Sequence, residues 1–349
     1  SSLPSLLTIP FILLSGKLTE HINNIFLLQT GLIIFVLSGL FYILSTEMWQ
    51  LIAVSALLGI GSGLIVPLST GLISRYFTGK YRTRQFGLSS AITNITLVSA
   101  TLLTGYLAGI DWHLPFVVYF FPIVAFVFSF YLKKDPVSAA PVRTNNPGKI
   151  NVKHLIGLMA FYGLVTYLVV IISFNLPFLM KEYRFDAETS GIIISMFYSA
   201  IVVPGFFLNK ILSTFKYLTK CMCLLCIAAG LLLVLISSNV WILGTGAVFM
   251  GFGYGVIQPL IYDQTSQVAT PEKTTLALAF VMSMNYLAIL LCPTIIDTFQ
   301  SLFHIHSQQF AFSFNLSITL LAIIWSYAAR HTFLFNDNLE NDKSSLEEL

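Results

Sequence analysis

Gly59-Ile-Gly61-Ser-Gly63-Leu-Ile-Val-Pro67 returns as Gly251-Phe-Gly253-Tyr-Gly255-Val-Ile-Gln-Pro259, 192 positions later (251 − 59 = 192). Three glycines and a proline recur at the same spacing, and both copies lie inside long apolar stretches. Such a duplication predicts a chain that crosses a membrane many times, built from two related sets of helices, an arrangement common among transporters. Gly59 with Gly63, and Gly251 with Gly255, are small-x-x-x-small pairs that let helix backbones approach closely, so they are expected to pack helices.

Composition agrees. Only 9% of the 349 residues are charged and 56% are hydrophobic, whereas soluble domains carry about 25% charged residues. A bilayer accommodates so apolar a chain, because a helix of about 20 apolar residues spans its core. The net charge of +3 gives no footing for a nucleic-acid partner. Cys221, Cys223, Cys226 and Cys292 lie in apolar stretches and read as packing residues, since a zinc site needs a polar and fuller ligand set. No metal and no cofactor is expected, and no catalytic motif of a hydrolase, metalloprotease or nucleotide-binding enzyme is present.

Breaks in hydropathy predict eleven spans, at about 1–15, 25–45, 49–74, 86–108, 114–132, 154–180, 189–208, 217–236, 240–264, 274–298 and 309–330. The first is partial, because fifteen residues rise only about 22 Å as a helix. The polar, proline-bearing connector 133–153 divides the chain into an N-terminal half (1–132) and a C-terminal half (154–332), followed by an acidic tail (333–349) of disordered composition. If the spans alternate and the connector is cytoplasmic, 16 of the 18 lysines and arginines fall on the cytoplasmic side, and only Lys181 and Arg184 on the other. That is a strong positive-inside bias. It predicts a multi-pass protein of a bacterial inner membrane, with connector and C-terminus cytoplasmic. Ile9-Pro10 also aligns with Val203-Pro204, at an offset of 194. Both copies run in the same direction, as parallel repeats do. Carried back from the start of the second half, this offset predicts about 40 further residues, including a first helix, before Ser1.

The stretch Pro10 to Asn24 resembles the loop between the second and third helices of the major facilitator superfamily, whose pattern is Gly-x-Leu-x-Asp-Arg-x-Gly-Arg-Lys. Gly16 and Leu18 match and Glu20 holds the acidic position, while His21, Asn23 and Asn24 replace basic and glycine residues. The run from Arg75 to Gly87 is similar to the basic loop after the family's fourth helix. The resemblance implies an all-α membrane protein with two pseudo-symmetric six-helix halves that rock about a central site. It also implies a gating role for Gly16, Glu20, Arg75 and Arg84, with Glu20 expected to pair with Arg75 or Arg84. Within the family the chain looks drug-efflux-like, with two departures. Ser55 stands where drug–proton antiporters often carry arginine, and Ala100 to Gly105 replaces their Gly-Pro-x-x-Gly-Gly block.

Polar residues inside apolar spans must find partners or line a cavity. Asn94, Tyr162, Tyr167, Asn175, Tyr254, Gln258, Tyr262 and Asn285 are the candidates for a substrate cavity. Ionisable groups within spans are sparse, and Asp263 is the candidate for ion coupling, as an acceptor of a proton or cation. Its repeat counterpart is Gly71, so fold symmetry does not require it. The expected activity is secondary transport of a small molecule by a monomer in the lipid bilayer, with protons as the candidate coupling ion. Efflux of an amphipathic compound is the leading reading. The alternatives are an importer or facilitator of a small metabolite, and a non-transporting, receptor-like or degenerate membrane protein.

Overall fold

The computed structural model describes residues 3–132, 149–236, 238–305 and 307–329. Most of the expected linker (133–148), the acidic tail and His306 lie outside the described residues. The described chain is helical. Its α-helices are α1 (Leu3–Leu18), α2 (Asn24–Leu44), α3 (Met48–Tyr76), α4 (Gly79–Ala108), α5 (Pro122–Ser129), α6 (Val152–Glu182), α7 (Ala187–Phe215), α8 (Thr219–Ile236), α9 (Val240–Gln267), α10 (Thr274–Leu302) and α11 (Gln309–Ala328). Short 3-10 helices at Leu114–Phe120 and Lys216–Leu218 precede α5 and α8.

Helix ends follow local chemistry. Asn23, Asn151 and Asn239 cap α2, α6 and α9 by accepting backbone N–H groups of Ile25, His154 and Trp241 at 2.8, 3.2 and 2.9 Å. α6 and α10 close through left-handed residues, Arg184 (φ 63°) and His304 (φ 53°). Beyond them Phe185 and Ile305 donate back to Met180 and Gln300, both at 2.9 Å, which satisfies carbonyls that the helix leaves open.

Eight segments are long and apolar enough to cross a membrane, by length and composition, among the described residues. Eleven spans were expected, and the difference has local causes. α7 and α8 form one apolar run, 188–236, broken only by the 3-10 turn at Lys216, whose φ is 44°. The expected span at 114–132 is a 3-10 helix followed by the eight-residue α5, because Pro115 and Pro122 each start a new helical piece. α1 is shorter than a full crossing.

The duplication is visible in the packing. α3 lies against α1 and α2, and α9 lies against α7 and α8. A Cβ on Gly63 would sit 2.6 Å from Phe11 Cβ of α1, and one on Gly255 would sit 2.7 Å from Ile201 O of α7. Gly61 faces Gly31 O on α2 at 3.2 Å, and Gly253 faces Cys223 O on α8 at 2.6 Å. Those two pairs are related residue for residue, since 253 − 61 and 223 − 31 are both 192.

The two sets meet along α4–α7 and α1–α10. Gly87 crosses Gly205, where a Cβ on Gly87 would lie 2.5 Å from the facing carbonyl oxygen. A Cβ on Gly16 would lie 2.6 Å from Ala279 Cβ. Both crossings lie toward the end of the bundle that carries the 18–24, 76–79 and 149–151 connections, called here the basic end. Beyond them α4 exposes Ile92, Leu102 and Tyr106.

Candidate functional site

α9 carries Tyr254, Gln258 and Tyr262 at four-residue intervals, which aligns their side chains along one face. α6 presents Tyr162 and Thr166 to that face, α10 adds Asn285, and α4 adds Ser90 from the other set. The Tyr162 hydroxyl is the hub. It lies 2.9 Å from Tyr262 Oη and 3.3 Å from Tyr254 Oη, and it accepts from Gln258 Nε2 at 3.3 Å. Ser90 donates to Gln258 Oε1 at 3.0 Å. Asn285 Oδ1 accepts from Thr166 Oγ1 at 2.7 Å and from Tyr254 Oη at 3.2 Å. Tyr162 is fully buried, and the hydroxyls of Tyr162, Tyr254 and Tyr262, both ends of the Gln258 amide and the Asn285 carbonyl oxygen all have partners, as a low-dielectric interior requires. Phe86 of α4 covers Tyr262 edge-on, with ring centroids 6.2 Å apart. The network is therefore polar, aromatic and uncharged, and it lies where the two sets face each other.

The structure thus brings together Tyr162, Tyr254, Gln258, Tyr262 and Asn285. It keeps three other candidates apart. Asn94 donates to the Ser90 carbonyl, one turn back on its own helix, at 2.8 Å. Tyr167 is buried with its hydroxyl lacking a hydrogen-bond partner. Asn175 is buried 13 residues beyond Tyr162 (175 − 162 = 13), about 20 Å along α6.

Next to Tyr262, Asp263 reaches across to α4. Its Oδ1 accepts from Arg82 Nε at 2.8 Å, and its Oδ2 from Thr83 Oγ1 at 3.0 Å and Gln267 Nε2 at 3.1 Å. The side chains of Arg82 and Asp263 are 14% and 6% exposed, so this is a buried ion pair joining the two sets. Removing one partner of such a pair costs about 3–5 kcal/mol, because the other charge stays buried. A second bridge corrects an expectation. Glu20 takes Lys273 Nζ at 2.7 Å, not Arg75 or Arg84. The reason is proximity: the Gly16–Ala279 crossing brings the end of α1 to the start of α10, and Lys273 is the cap residue of α10. Arg75 lies in the last turn of α3, and Arg84 borders a pocket with Gly205 to Lys210 of α7.

Arg82, Thr83, Ser90 and Lys273 were not singled out from the sequence, yet the repeat held the signal for Thr83. Thr275 packs on Gly71, with its Oγ1 2.6 Å from where a Gly71 Cβ would stand. Thr83 and Asp263 are the same pair moved by 192 (275 − 83 and 263 − 71). On one side the sets touch through glycine, and on the other a carboxylate fills the gap.

The Major Facilitator Superfamily profile matches residues 1–293. The chain belongs to this family. Among curated relatives it is similar to the quinolone resistance protein NorA of Staphylococcus aureus, with 24% identity over 277 residues, covering 73% of this chain and 68% of NorA. It is also similar to the multidrug transporter protein MdtP of Bacillus subtilis, with 28% identity over 106 residues, covering 30% of this chain and 20% of MdtP. Among solved structures, the human organic anion transporter MFSD10 superposes with a TM-score of 0.78 at 16% identity, over 93% of this chain and 83% of that one. The proton:xylose symporter XylE gives 0.74 at 12% identity, over 93% and 84%. At these identities the two structures speak for the fold alone.

The chain is thus an all-α, multi-pass integral membrane transporter of the Major Facilitator Superfamily, and not an enzyme. The Ser55 departure from the family's antiporter pattern has a local account. Its Oγ donates to Leu51 O at 2.7 Å and meets Tyr42 Oη at 2.5 Å, so the position is a neutral contact between α2 and α3.

Proposed function

We propose that this protein exports small amphipathic compounds by alternating access, with the Tyr162–Tyr254–Gln258–Tyr262–Asn285 network in the substrate site. One observation carries the reading: an uncharged aromatic network at the junction of the two sets, directly above two ion pairs that tie the sets together at the basic end. Apolar and aromatic walls with a few hydrogen-bonding groups suit a ligand that is mostly apolar. The Arg82–Asp263 and Glu20–Lys273 pairs act as a gate that is closed in this conformation and must part for the site to reach the other side. NorA and MdtP, whose names describe drug resistance and multidrug transport, support efflux as the direction. The division into halves at 1–132 and 154–332 follows from the same reading. So do a monomeric state, an inner-membrane location and a cytoplasmic basic end.

The test is accumulation of a fluorescent amphipathic dye in proteoliposomes with and without an imposed proton gradient. Uphill movement that needs the gradient supports proton-driven efflux. Absence of dye movement under both conditions contradicts the reading. A second reading, downhill facilitated transport, is favoured by neutral Ser55 and by the pairing of Asp263 with Arg82. It predicts dye flux that runs only downhill and ignores the proton gradient.

A further inference from the structure

α4 and α10 hold equivalent places in the two sets, and the 192 offset pairs their residues. Ser90 of α4 meets Gln258 of α9, and the same pair moved by the offset is Met282 of α10 with Val66 of α3 (282 − 90 and 258 − 66). Met282 and Val66 belong to one apolar cluster with Ile12 and Ala279. One turn farther from the basic end, the offset pairs Asn94 with Tyr286 (286 − 94 = 192). Both point into the bundle. Asn94 is 7% exposed and is the one buried residue between Ile92 and Leu97. Tyr286 packs with Tyr262 against the Ile12–Ala279–Met282 cluster.

Each position keeps polar capacity unspent. Asn94 Nδ2 is used on the Ser90 carbonyl, so Oδ1 remains as an acceptor. Beside Tyr286, Asn285 Oδ1 accepts from Thr166 and Tyr254, which leaves Nδ2 as a donor. The Tyr286 hydroxyl has no hydrogen-bond partner among the described residues. None of these three atoms is sealed in the interior, as the unpartnered hydroxyl of Tyr167 is.

We infer that the exported compound is uncharged and hydrogen-bonds to both sets at once. An N–H or O–H of the compound donates to Asn94 Oδ1, and an oxygen acceptor on it receives Asn285 Nδ2 and the Tyr286 hydroxyl. This names the substrate class for the export reading above and rests on that reading. The tyrosine network then has a positioning role, since Thr166 and Tyr254 fix the Asn285 amide with its N–H groups turned outward. Cations are disfavoured because Asp263, the buried carboxylate beside the network, is already taken by Arg82, Thr83 and Gln267. A buried charge without a counter-charge is costly. A compound lacking the two polar groups would leave Asn94 and Asn285 desolvated and unpaired, so the site selects against it.

Two neutral fluorescent probes of similar size test this. Dansylamide carries N–H donors and oxygen acceptors on its sulfonamide, and its N,N-dimethyl derivative keeps the oxygens and lacks the donors. Equilibrium binding to the purified, detergent-solubilised protein is read from the rise in dansyl emission. The expected result is saturable binding of both, about tenfold tighter for dansylamide. Asn94→Leu, which keeps the volume and removes the carbonyl, is expected to bring the two probes to the same affinity. Tyr286→Phe is expected to weaken both by about fivefold, because both retain the oxygens. Tyr167→Phe, at a sealed hydroxyl, is expected to keep the tenfold difference. Equal affinities in the unmodified protein, or no saturable binding, overturn the inference. So does a preference that survives Asn94→Leu, which would make it steric. Binding is read without a gradient, so probes that bind as expected while no dye moves in proteoliposomes would contradict export and support the site.

Discussion

At the residue scale, two pairs of side chains separate structural from gating roles. Asp263 and Arg82 are buried together, so Asp263→Asn leaves a guanidinium without its counter-charge. The expected outcome is a basic end that opens more readily, read as faster labelling of a cysteine introduced at Ser90 by a membrane-impermeant reagent added from that side. Exchanging the two, Arg82→Asp with Asp263→Arg, is expected to recover part of the protection. Unchanged labelling in Asp263→Asn would remove the pair from the gate. Tyrosines 162 and 167 make the second comparison, being near neighbours on α6 with opposite hydrogen-bonding status. Tyr162→Phe removes the hydroxyl that both Gln258 Nε2 and Tyr262 Oη meet, leaves them only their long 3.4 Å bond to each other, and should cost about 1–3 kcal/mol, whereas Tyr167→Phe deletes a buried hydroxyl that has no partner and should be neutral or stabilising. Thermal unfolding of the detergent-solubilised variants ranks them, and equal loss at both positions would contradict the network.

At the element scale, the glycine repeat sets how closely helices approach. Glycine to alanine in an exposed helix gains up to about 1 kcal/mol from propensity alone. Gly191 of α7 has nothing within 4 Å of a built Cβ, so Gly191→Ala should raise the melting temperature slightly. A Cβ on Gly251 would collide with the Phe197 carbonyl, which is backbone and cannot swing aside, so Gly251→Ala should lower it. The same sign for both would deny the repeat its packing role. These elements were legible in the sequence because membrane helices announce themselves by length and apolarity, and because Tyr254, Gln258 and Tyr262 stand on one helical face. Arg82 and Lys273 were not. A basic residue at a helix end reads first as a topological signal, and only the crossing of α4 with α9, or of α1 with α10, gives it a specific carboxylate. The break at Pro115 and Pro122 was likewise hidden inside an unbroken apolar run. Proline is tolerated within other helices of this chain, including α3 and α9, so its presence alone does not mark a boundary.

At the scale of the whole molecule, the two helix sets repeat one packing plan and meet through two equivalent crossings, Gly87–Gly205 and Gly16–Ala279. The two larger cores lie one within each set, and the small cluster of Ile12, Ala279 and Met282 beside the Gly16–Ala279 crossing is the buried apolar contact that must separate when the sets part. Two ion pairs join the sets at the basic end beneath the tyrosine network. In the alternating-access cycle proposed above, that end opens in every cycle. The direct measurement uses protein in which the four native cysteines are replaced and Glu20 and Lys273, whose long side chains meet end to end at 2.7 Å, are both changed to cysteine, to be joined by a bifunctional methanethiosulfonate reagent that spans the length of the lost side chains. Dye transport is followed in proteoliposomes before cross-linking, after cross-linking and after reductive cleavage of the cross-link. The predicted result is transport that stops when the cross-link forms and returns when it is reduced. Full transport by the cross-linked protein would contradict the account.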